Sequence, residues 1–186
     1  MLNKEFLLKN YNIFFVAGIH GVGKSTICNK VAQRLNIFTS SSSQIIKGYK
    51  GQKISNSGKR VKNIDENQEA LLLGLQQIEA KNILLDGHFV LMNAFGDIEK
   101  ISESIFQKIR PTAIILLIDT PAEIAKRLEN RDCTKYPENI LTQMQDLEER
   151  RAVQIAKLVS ANYLKIDLQA DIEPDKTLSS FVSRNI

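Results

Sequence analysis

Gly18-Ile19-His20-Gly21-Val22-Gly23-Lys24-Ser25 is the stretch that decides the fold. It satisfies the spacing Gly-x4-Gly-Lys-Ser/Thr without a gap. Glycines at these positions let the backbone turn tightly and gather N–H groups around one anion. The helix expected to follow adds free N–H groups and the positive end of its dipole. A nucleoside triphosphate would therefore be held by Gly18, Gly21, Val22, Gly23, Lys24, Ser25 and Thr26. Lys24 reaches the β- and γ-phosphates, and the Ser25 hydroxyl is a ligand for Mg²⁺. His20, inside the loop, reads as a side chain at a variable position, because the loop acts through its backbone.

Working outward, residues 13–17 are an unbroken apolar run, the strand that this loop needs before it. After it, Ile27, Val31 and Leu35 recur at the spacing of one helix face. Two more apolar runs, 82–85 and 113–118, each end at an aspartate, Asp86 and Asp119. A short strand is expected at 163–166. Helices separate these strands, with Leu71, Leu72, Leu75 and Ile78 marking one that Asp65 would cap. Thr120-Pro121-Ala122-Glu123 is a capping box with proline at the first helical position. Residues 132–137 break that helix, and a longer one is expected over about 138–161. Apolar strands alternating with helices predict a parallel sheet covered on both faces, with ligands at the carboxyl ends of its strands. Gly18, Asp86 and Asp119 all fall there. Asp86 is the candidate carboxylate beside the metal, while Asp119 reads as a turn or cap carboxylate. Arg127 and Arg131, four apart on one helix face, can meet one anion, with a Glu123–Arg127 pair as the alternative. Arg150 and Arg151 lie in a charge run on the next helix, and one of them is a further candidate for that role.

With 186 residues, 43% hydrophobic and 25% charged, the chain has the composition of one globular domain and not of a disordered or fibrous protein. Two cysteines, Cys28 and Cys133, give no disulfide framework and no zinc pattern. The longest apolar run is too short to span a bilayer, so a soluble, cytoplasmic protein without a membrane partner is expected. The net charge of +4 hides an asymmetry: residues 1–64 carry eleven Lys/Arg and one Glu, and residues 65–186 carry fourteen Lys/Arg and twenty Asp/Glu. A basic front end calls for an anionic partner. Residues 39–64 hold Lys47, Lys50, Lys53, Lys59, Arg60 and Lys62 and no carboxylate. Such a lobe suits an acceptor that carries phosphate, and Arg60, with its bidentate fork, is the strongest single candidate to grip it. Thr39-Ser40-Ser41-Ser42-Ser43 reads as an ordinary loop.

Taken together, these motifs resemble a small P-loop nucleoside monophosphate kinase, most of all the archaeal-type adenylate kinases, and also the short eukaryotic nuclear adenylate kinases. The likeness covers most of residues 12–168, with the phosphate loop as its one specific motif. The loop is similar to the family's Gly-Val-Pro-Gly-Val-Gly-Lys, Asp86-Gly87-His88 to its Asp-x-His, and the run from Arg127-Leu128 to Arg131-Asp132 to its arginine-bearing lid. Ile109-Arg110-Pro111-Thr112-Ala113 resembles the segment that leads into the family's next strand. The resemblance implies an α/β P-loop NTPase three-layer sandwich with a mainly parallel central sheet, plus an acceptor-binding lobe and a helical lid. In that frame, residues 1–186 form a single P-loop kinase domain. Its core covers about 12–38, 65–120 and 162–186, its acceptor lobe about 39–64 and its lid about 121–150. It further implies ATP and Mg²⁺ as cofactors, Lys24, Asp86, Arg127 and Arg131 as catalytic residues, Ser25 and Asp86 at the metal, and Arg60 and His88 at the acceptor.

The expected reaction is phosphoryl transfer from ATP to a nucleoside monophosphate, AMP by default. Where bacterial adenylate kinases have Asp-Gly-Phe-Pro-Arg, this chain has Asp-Gly-His-Phe-Val, so that motif's acceptor arginine is missing. The acceptor accordingly stays open between a nucleotide, a nucleic-acid 5′-hydroxyl and a small metabolite, with a slow ATPase switch as the reading from another class. Nucleic acid is the less favoured partner: there is no tryptophan, and Tyr49 is the sole aromatic of the basic lobe.

Overall fold

The apolar run before the phosphate loop becomes the central strand of the sheet, and its neighbours are the two runs that end in aspartate. The computed structural model describes residues 11–54, 64–93, 96–133 and 135–186. In chain order the elements are β1 (Asn12–Ala17), α1 (Lys24–Leu35), β2 (Phe38–Ser41), α2 (Ser42–Ile54), α3 (Ile64–Gln76), β3 (Asn82–Asp86), β4 (Val90–Met92), β5 (Ile98–Lys100), α4 (Glu103–Ile109), β6 (Ala113–Ile118), α5 (Pro121–Asp132), α6 (Glu138–Val159), β7 (Asn162–Asp167) and α7 (Pro174–Ser183). A five-stranded sheet has the order β2-β3-β1-β6-β7, and each neighbouring pair is parallel. The register sets Val16 beside Asp86 on one side and Ile115 on the other.

Alternate residues of β1 feed two separate cores. Phe14 and Val16 join Ile27, Val31, Ile124, Leu128, Leu178 and Val182 from α1, α5 and α7. Ile13, Phe15 and Ala17 join Ile45, Leu71, Leu75, Phe106 and Ile109 from α2, α3 and α4. This two-sided burial explains why the strands are apolar without alternation. It also makes the three layers. Helix α6 contributes Leu141 and Met144 to the first core and Ala152, Ile155 and Ala156 to the second. Between those two groups it crosses the carboxyl edge of the sheet.

Two features depart from the sequence expectations. Residues 38–41 are not loop but the edge strand β2, pairing Thr39 with Leu84 and Ser41 with Asp86. Main-chain pairing makes this strand, and the Thr39 hydroxyl adds a bond to the Leu84 carbonyl at 3.1 Å. Val90–Met92 and Ile98–Lys100 form an antiparallel hairpin beside the sheet. Within residues 121–150, the segment expected as a lid, Ile124, Leu128, Leu141 and Met144 are buried in the first core. Half of the expected capping box at α5 is seen: the Thr120 hydroxyl accepts from the Glu123 N–H at 3.3 Å with Pro121 in the first turn, but the Thr120 N–H donates to Asp119 at 2.7 Å. The chain after β7 forms α7, held to α1 by Arg34 bonds to Ser179 and Asp175.

Candidate active site

The phosphate loop joins the carboxyl end of β1 to α1. Gly18 adopts φ +145°, and a Cβ there would sit 2.6 Å from the Leu117 carbonyl oxygen. Gly21 adopts φ +82°, and a Cβ there would meet Leu128 of α5 at 2.7 Å. Only glycine combines these angles with so close an approach. Lys24, in the first turn of α1, is buried and curls back over the loop. Its Nζ donates to the carbonyls of Gly18 at 2.7 Å and Ile19 at 3.2 Å and lies 3.8 Å from Asp86 Oδ1. Burial pulls its pKa down, against the opposing charges of Asp86 and Glu148. The Ser25 hydroxyl donates to Asp86 Oδ2 at 2.5 Å. Strand end and helix start thus bring one hydroxyl and one carboxylate together, the hard oxygen donors that suit Mg²⁺. The residues present fit the ion that the loop implies.

Arg127 lines the same cleft, but its guanidinium is engaged. Nη1 donates to the carbonyls of Gly21 at 3.0 Å and Val22 at 3.1 Å, and Nη2 pairs with Asp119. The predicted alternative, a Glu123–Arg127 pair, gives way to this one. Asp119 does what a turn carboxylate does, accepting from the Thr120 N–H at 2.7 Å, and it also accepts from Gln169 Nε2 at 2.6 Å. Its burial pushes its pKa up, but the bonds from Arg127, Gln169 and Thr120 and the Arg127 charge outweigh that and hold it below the usual range. Arg131, at the end of α5, is exposed, forks onto Asp132 at 2.6 and 2.7 Å, and also lines the cleft. Arg151 does not join the arginines at the phosphates. It donates to the Ile101 carbonyl and to Glu103, both at 2.8 Å, at the foot of the β4–β5 hairpin.

His20 is more than a variable loop side chain. Its ring stacks on His88 with centroids 4.0 Å apart. Burial, then the charges of Lys24 and Arg131, bring the His20 pKa down to about 4, against the Asp132 charge. Burial, then Lys24 and His20, hold His88 well below the usual value, although a bond to the Gly18 backbone opposes this. In both rings these effects favour the neutral form. His88 Nδ1 is buried and, among the described residues, has no hydrogen-bond partner.

One cleft of about 920 Å³ collects these groups. It runs from His20, Gly21, Gly23, Lys24, Ser25 and Thr26 past Asp86 and His88 to a stretch lined by other elements, called the chamber below. Ser42, Lys47 and Lys50 from α2 and Asn67, Gln68 and Leu71 from α3 form one wall of that chamber. The opposite wall is Leu91 and Lys100 from the hairpin with Ile105 and Phe106 from α4. Phe15 and Phe106 of the lining pack with Phe89, tilted or edge to face, with centroids 4.8 to 5.3 Å apart. The predicted acceptor residue Arg60, with Lys59 and Lys62, lies outside the described residues.

Two groups were missed in the sequence. The hairpin wall is too short to leave a strand signal. Glu148, on α6, is fully buried and accepts from the Gly18, Phe89 and Val90 N–H groups at 2.8 to 3.1 Å. Its only sign was faint: Glu148 shares a helix stripe with Leu141, Met144, Ala152 and Ile155, but it stands in the charge run Glu148-Glu149-Arg150-Arg151, and Arg151 is buried on the same stripe.

No curated protein sequence matches the chain significantly. Solved structures do. A gluconokinase from Sinorhizobium meliloti 1021 superimposes with a TM-score of 0.53 at 12% identity, over 94% of this chain and 93% of its own. A shikimate kinase from Acinetobacter baumannii, in complex with shikimate, gives 0.53 at 15% identity, over 94% and 92%. A shikimate kinase from Bacteroides thetaiotaomicron gives 0.50 at 15% identity, over 92% and 96%. At such identities the likeness concerns the fold, which is the α/β P-loop sandwich of these kinases. Residues 17–143, more than half of the chain and all of the site from the phosphate loop to α5, match the model of the AAA domain family, and the chain belongs to that family.

Proposed function

We propose that the protein transfers the γ-phosphoryl group of ATP to a small acceptor, and that the acceptor is a nucleoside monophosphate, with AMP the first choice. The observation that carries this reading is the single cleft. The loop that takes a triphosphate opens past Asp86 into a chamber with apolar walls and the cations Lys47 and Lys50 at its side. Apolar walls suit a flat base, and the lysines suit the phosphate that it carries.

In this reading the loop N–H groups and Lys24 hold the donor phosphates. With two of the three ammonium N–H bonds given to loop carbonyls, the third is left for a phosphate oxygen. Ser25 and Asp86 would hold Mg²⁺, which supplies charge neutralisation between the β- and γ-phosphates when bound. Asp86 and His88 stand between the phosphate loop and the chamber, and the unpartnered His88 Nδ1 is the polar atom offered to the acceptor. Arg127 keeps the loop in shape. Arg131, exposed and held by its neighbour Asp132 alone among the contacts described above, is the guanidinium free to move onto the transferring group. The exposed end of α5 around Arg131, with the rest of α5 and α6 packed in place, would close over the phosphates and exclude water, which otherwise takes the phosphoryl group. Among the described residues no helix is long and apolar enough to cross a membrane. The use of ATP is compatible with the cytoplasm, where this reading places the protein.

A second reading is a hydroxylated acid as acceptor. Ser42, Ser43, Asn67 and Gln68 line the chamber, the polar groups that a polyol needs, and the lysines would take a carboxylate equally well. The test is ATP·Mg²⁺ with AMP, CMP, UMP, GMP, deoxynucleotides, gluconate, shikimate and a 5′-hydroxyl oligonucleotide, the products being resolved. A nucleoside diphosphate supports the first reading. A phosphorylated acid or oligonucleotide in its place selects another acceptor, and ATP hydrolysis indifferent to all of them rejects phosphoryl transfer.

A further inference from the structure

Helix α6 touches the site with Glu148, which the mechanism above does not use. Burying a carboxylate is costly unless hydrogen bonds replace its water. Here the replacement is main-chain N–H. Oε1 accepts from Gly18 at 3.1 Å and Phe89 at 2.9 Å, and Oε2 from Phe89 at 2.9 Å and Val90 at 2.8 Å. These three donors come from the two segments that carry the reacting groups. Gly18 opens the phosphate loop, and the other side of the same residue, its carbonyl, accepts from Lys24 Nζ at 2.7 Å. Phe89 and Val90 follow Asp86-Gly87-His88 and begin the hairpin. The Phe89 carbonyl accepts from the Ile101 N–H at 2.9 Å, which closes the foot of that hairpin. One turn further along α6, Arg151 holds the same foot through the Ile101 carbonyl at 2.8 Å.

We propose that Glu148 is a positioning residue for the transfer reaction: as a carboxylate it fastens Gly18 to Phe89 and Val90, and so sets Lys24 against Asp86 and seats the hairpin wall of the acceptor chamber. The proposal rests on the phosphoryl-transfer reading, but its structural half does not. Three donors need an ionised group, because protonation turns one oxygen into a hydroxyl and weakens it as an acceptor. The group works close to that limit. Burial pushes its pKa up to about 7, although the bonds from Phe89 and Val90, the Lys24 charge and the Gly18 bond all pull it down. Lys24 of α1 is the charge that acts on it. From the loop after β1 and from the segment running from β3 into β4 it meets main-chain N–H groups; on its own helix the half-buried Glu149 and the exposed Arg150 follow, and Arg151 is the next buried charge.

The experiment compares the full chain with E148Q, E148D and the control E149Q, whose site is a surface pair with Lys165 at 2.5 Å. Each is assayed for kcat, for KM of ATP and of the acceptor across the neutral pH range, and for amide protection at Gly18, Phe89 and Val90. In E148Q an amide N–H faces a donor, and kcat is expected to fall on the order of 100-fold, the effect of misplacing reacting groups by about 1 Å. KM for ATP should stay within about threefold, since donor binding is not what is lost. The wild type should gain activity through about pH 7 beyond the γ-phosphate titration common to all variants, and E148Q should lose that gain. E148D, which keeps the charge but reaches less far, should keep the gain and lose about tenfold in kcat. E149Q should match the wild type.

A folded E148Q with unchanged kcat and pH profile overturns the proposal. Should E148Q not fold, an E148D of wild-type kcat overturns it equally. Should no acceptor be phosphorylated by the wild type, the function above fails, and amide protection alone decides. Protection of Gly18, Phe89 and Val90 that weakens below about pH 7 in the wild type supports the role of Glu148, and protection indifferent to pH and to substitution rejects it.

Discussion

Lys24 and Arg127 grip the same loop from two sides, and both do so through carbonyl oxygens. Lys24 takes those of Gly18 and Ile19, Arg127 those of Gly21 and Val22. With these carbonyls engaged by cations, the loop keeps its N–H groups for phosphate. The two side chains nevertheless predict different losses. K24A removes the cation at the phosphates, and kcat should drop by about 10³-fold, the scale of losing one preorganised donor to a transition-state charge, in a protein that remains folded by circular dichroism. R127A should act mainly on stability. It strips a buried carboxylate, Asp119, of its charged partner, at a cost of about 1–3 kcal/mol in urea unfolding at neutral pH. The sign of the pH dependence follows from the lowered pKa of Asp119. Burial alone would raise it, but the bonds and charge of Arg127, Gln169 and Thr120 prevail. A folded-state pKa below the unfolded one gives stability that is present above the ordinary carboxylate range and lost as pH falls through the folded value. The gap between wild type and R127A should therefore narrow in acid.

Elements were legible in the sequence where burial wrote a period, and illegible where pairing at a distance made the structure. β1, β3, β6 and β7 announce themselves as apolar runs or a short strand after a helix, and α5 by its capping box. β2 is made of Phe38, Thr39, Ser40 and Ser41 and lies at an edge, so its half-exposed hydroxyl side chains resemble a loop. The hairpin strands are three residues each, too short for a period to show. The site followed the same rule. Gly18 to Thr26 and Asp86 could be read from spacing and strand ends, because local geometry fixes them. Glu148 could not be singled out from Glu148-Glu149-Arg150-Arg151, since three of its bonds cross more than fifty residues to Phe89 and Val90. Arg151, a candidate for the phosphates, is instead buried under the hairpin for the same reason. At this scale the α2–α3 wall makes its own prediction. Lys47 lines the acceptor chamber away from the loop, so K47A should raise KM for the acceptor about tenfold, the loss of one charge-assisted hydrogen bond, and leave KM for ATP unchanged. Equal shifts in both constants would place Lys47 on the donor.

For the whole molecule, the charge asymmetry of the chain becomes a division of labour. The basic first third supplies the loop cation Lys24 and the cleft cations Lys47 and Lys50, and the acidic remainder supplies Asp86 beside Lys24, Asp119 on Arg127 and Glu148 on the Gly18 N–H. Helix α6 ties these parts together as it crosses the sheet edge. Gln145 exchanges bonds with the Asp119 backbone at 2.9 and 3.2 Å, Glu148 holds the phosphate loop, and Arg151 holds the hairpin. Donor site, acceptor chamber and arginine helix are thus fixed to one rod, as a transfer reaction that must exclude water requires. The central claim is that this cleft passes a phosphoryl group between two bound molecules. It is tested most directly by following the γ-phosphate of labelled ATP through a single turnover, with Mg²⁺, in the presence of a nucleoside monophosphate. The account predicts that the label appears in the nucleoside diphosphate formed from the acceptor, with little inorganic phosphate. Label released only as inorganic phosphate, at a rate that the acceptor does not change, would contradict it.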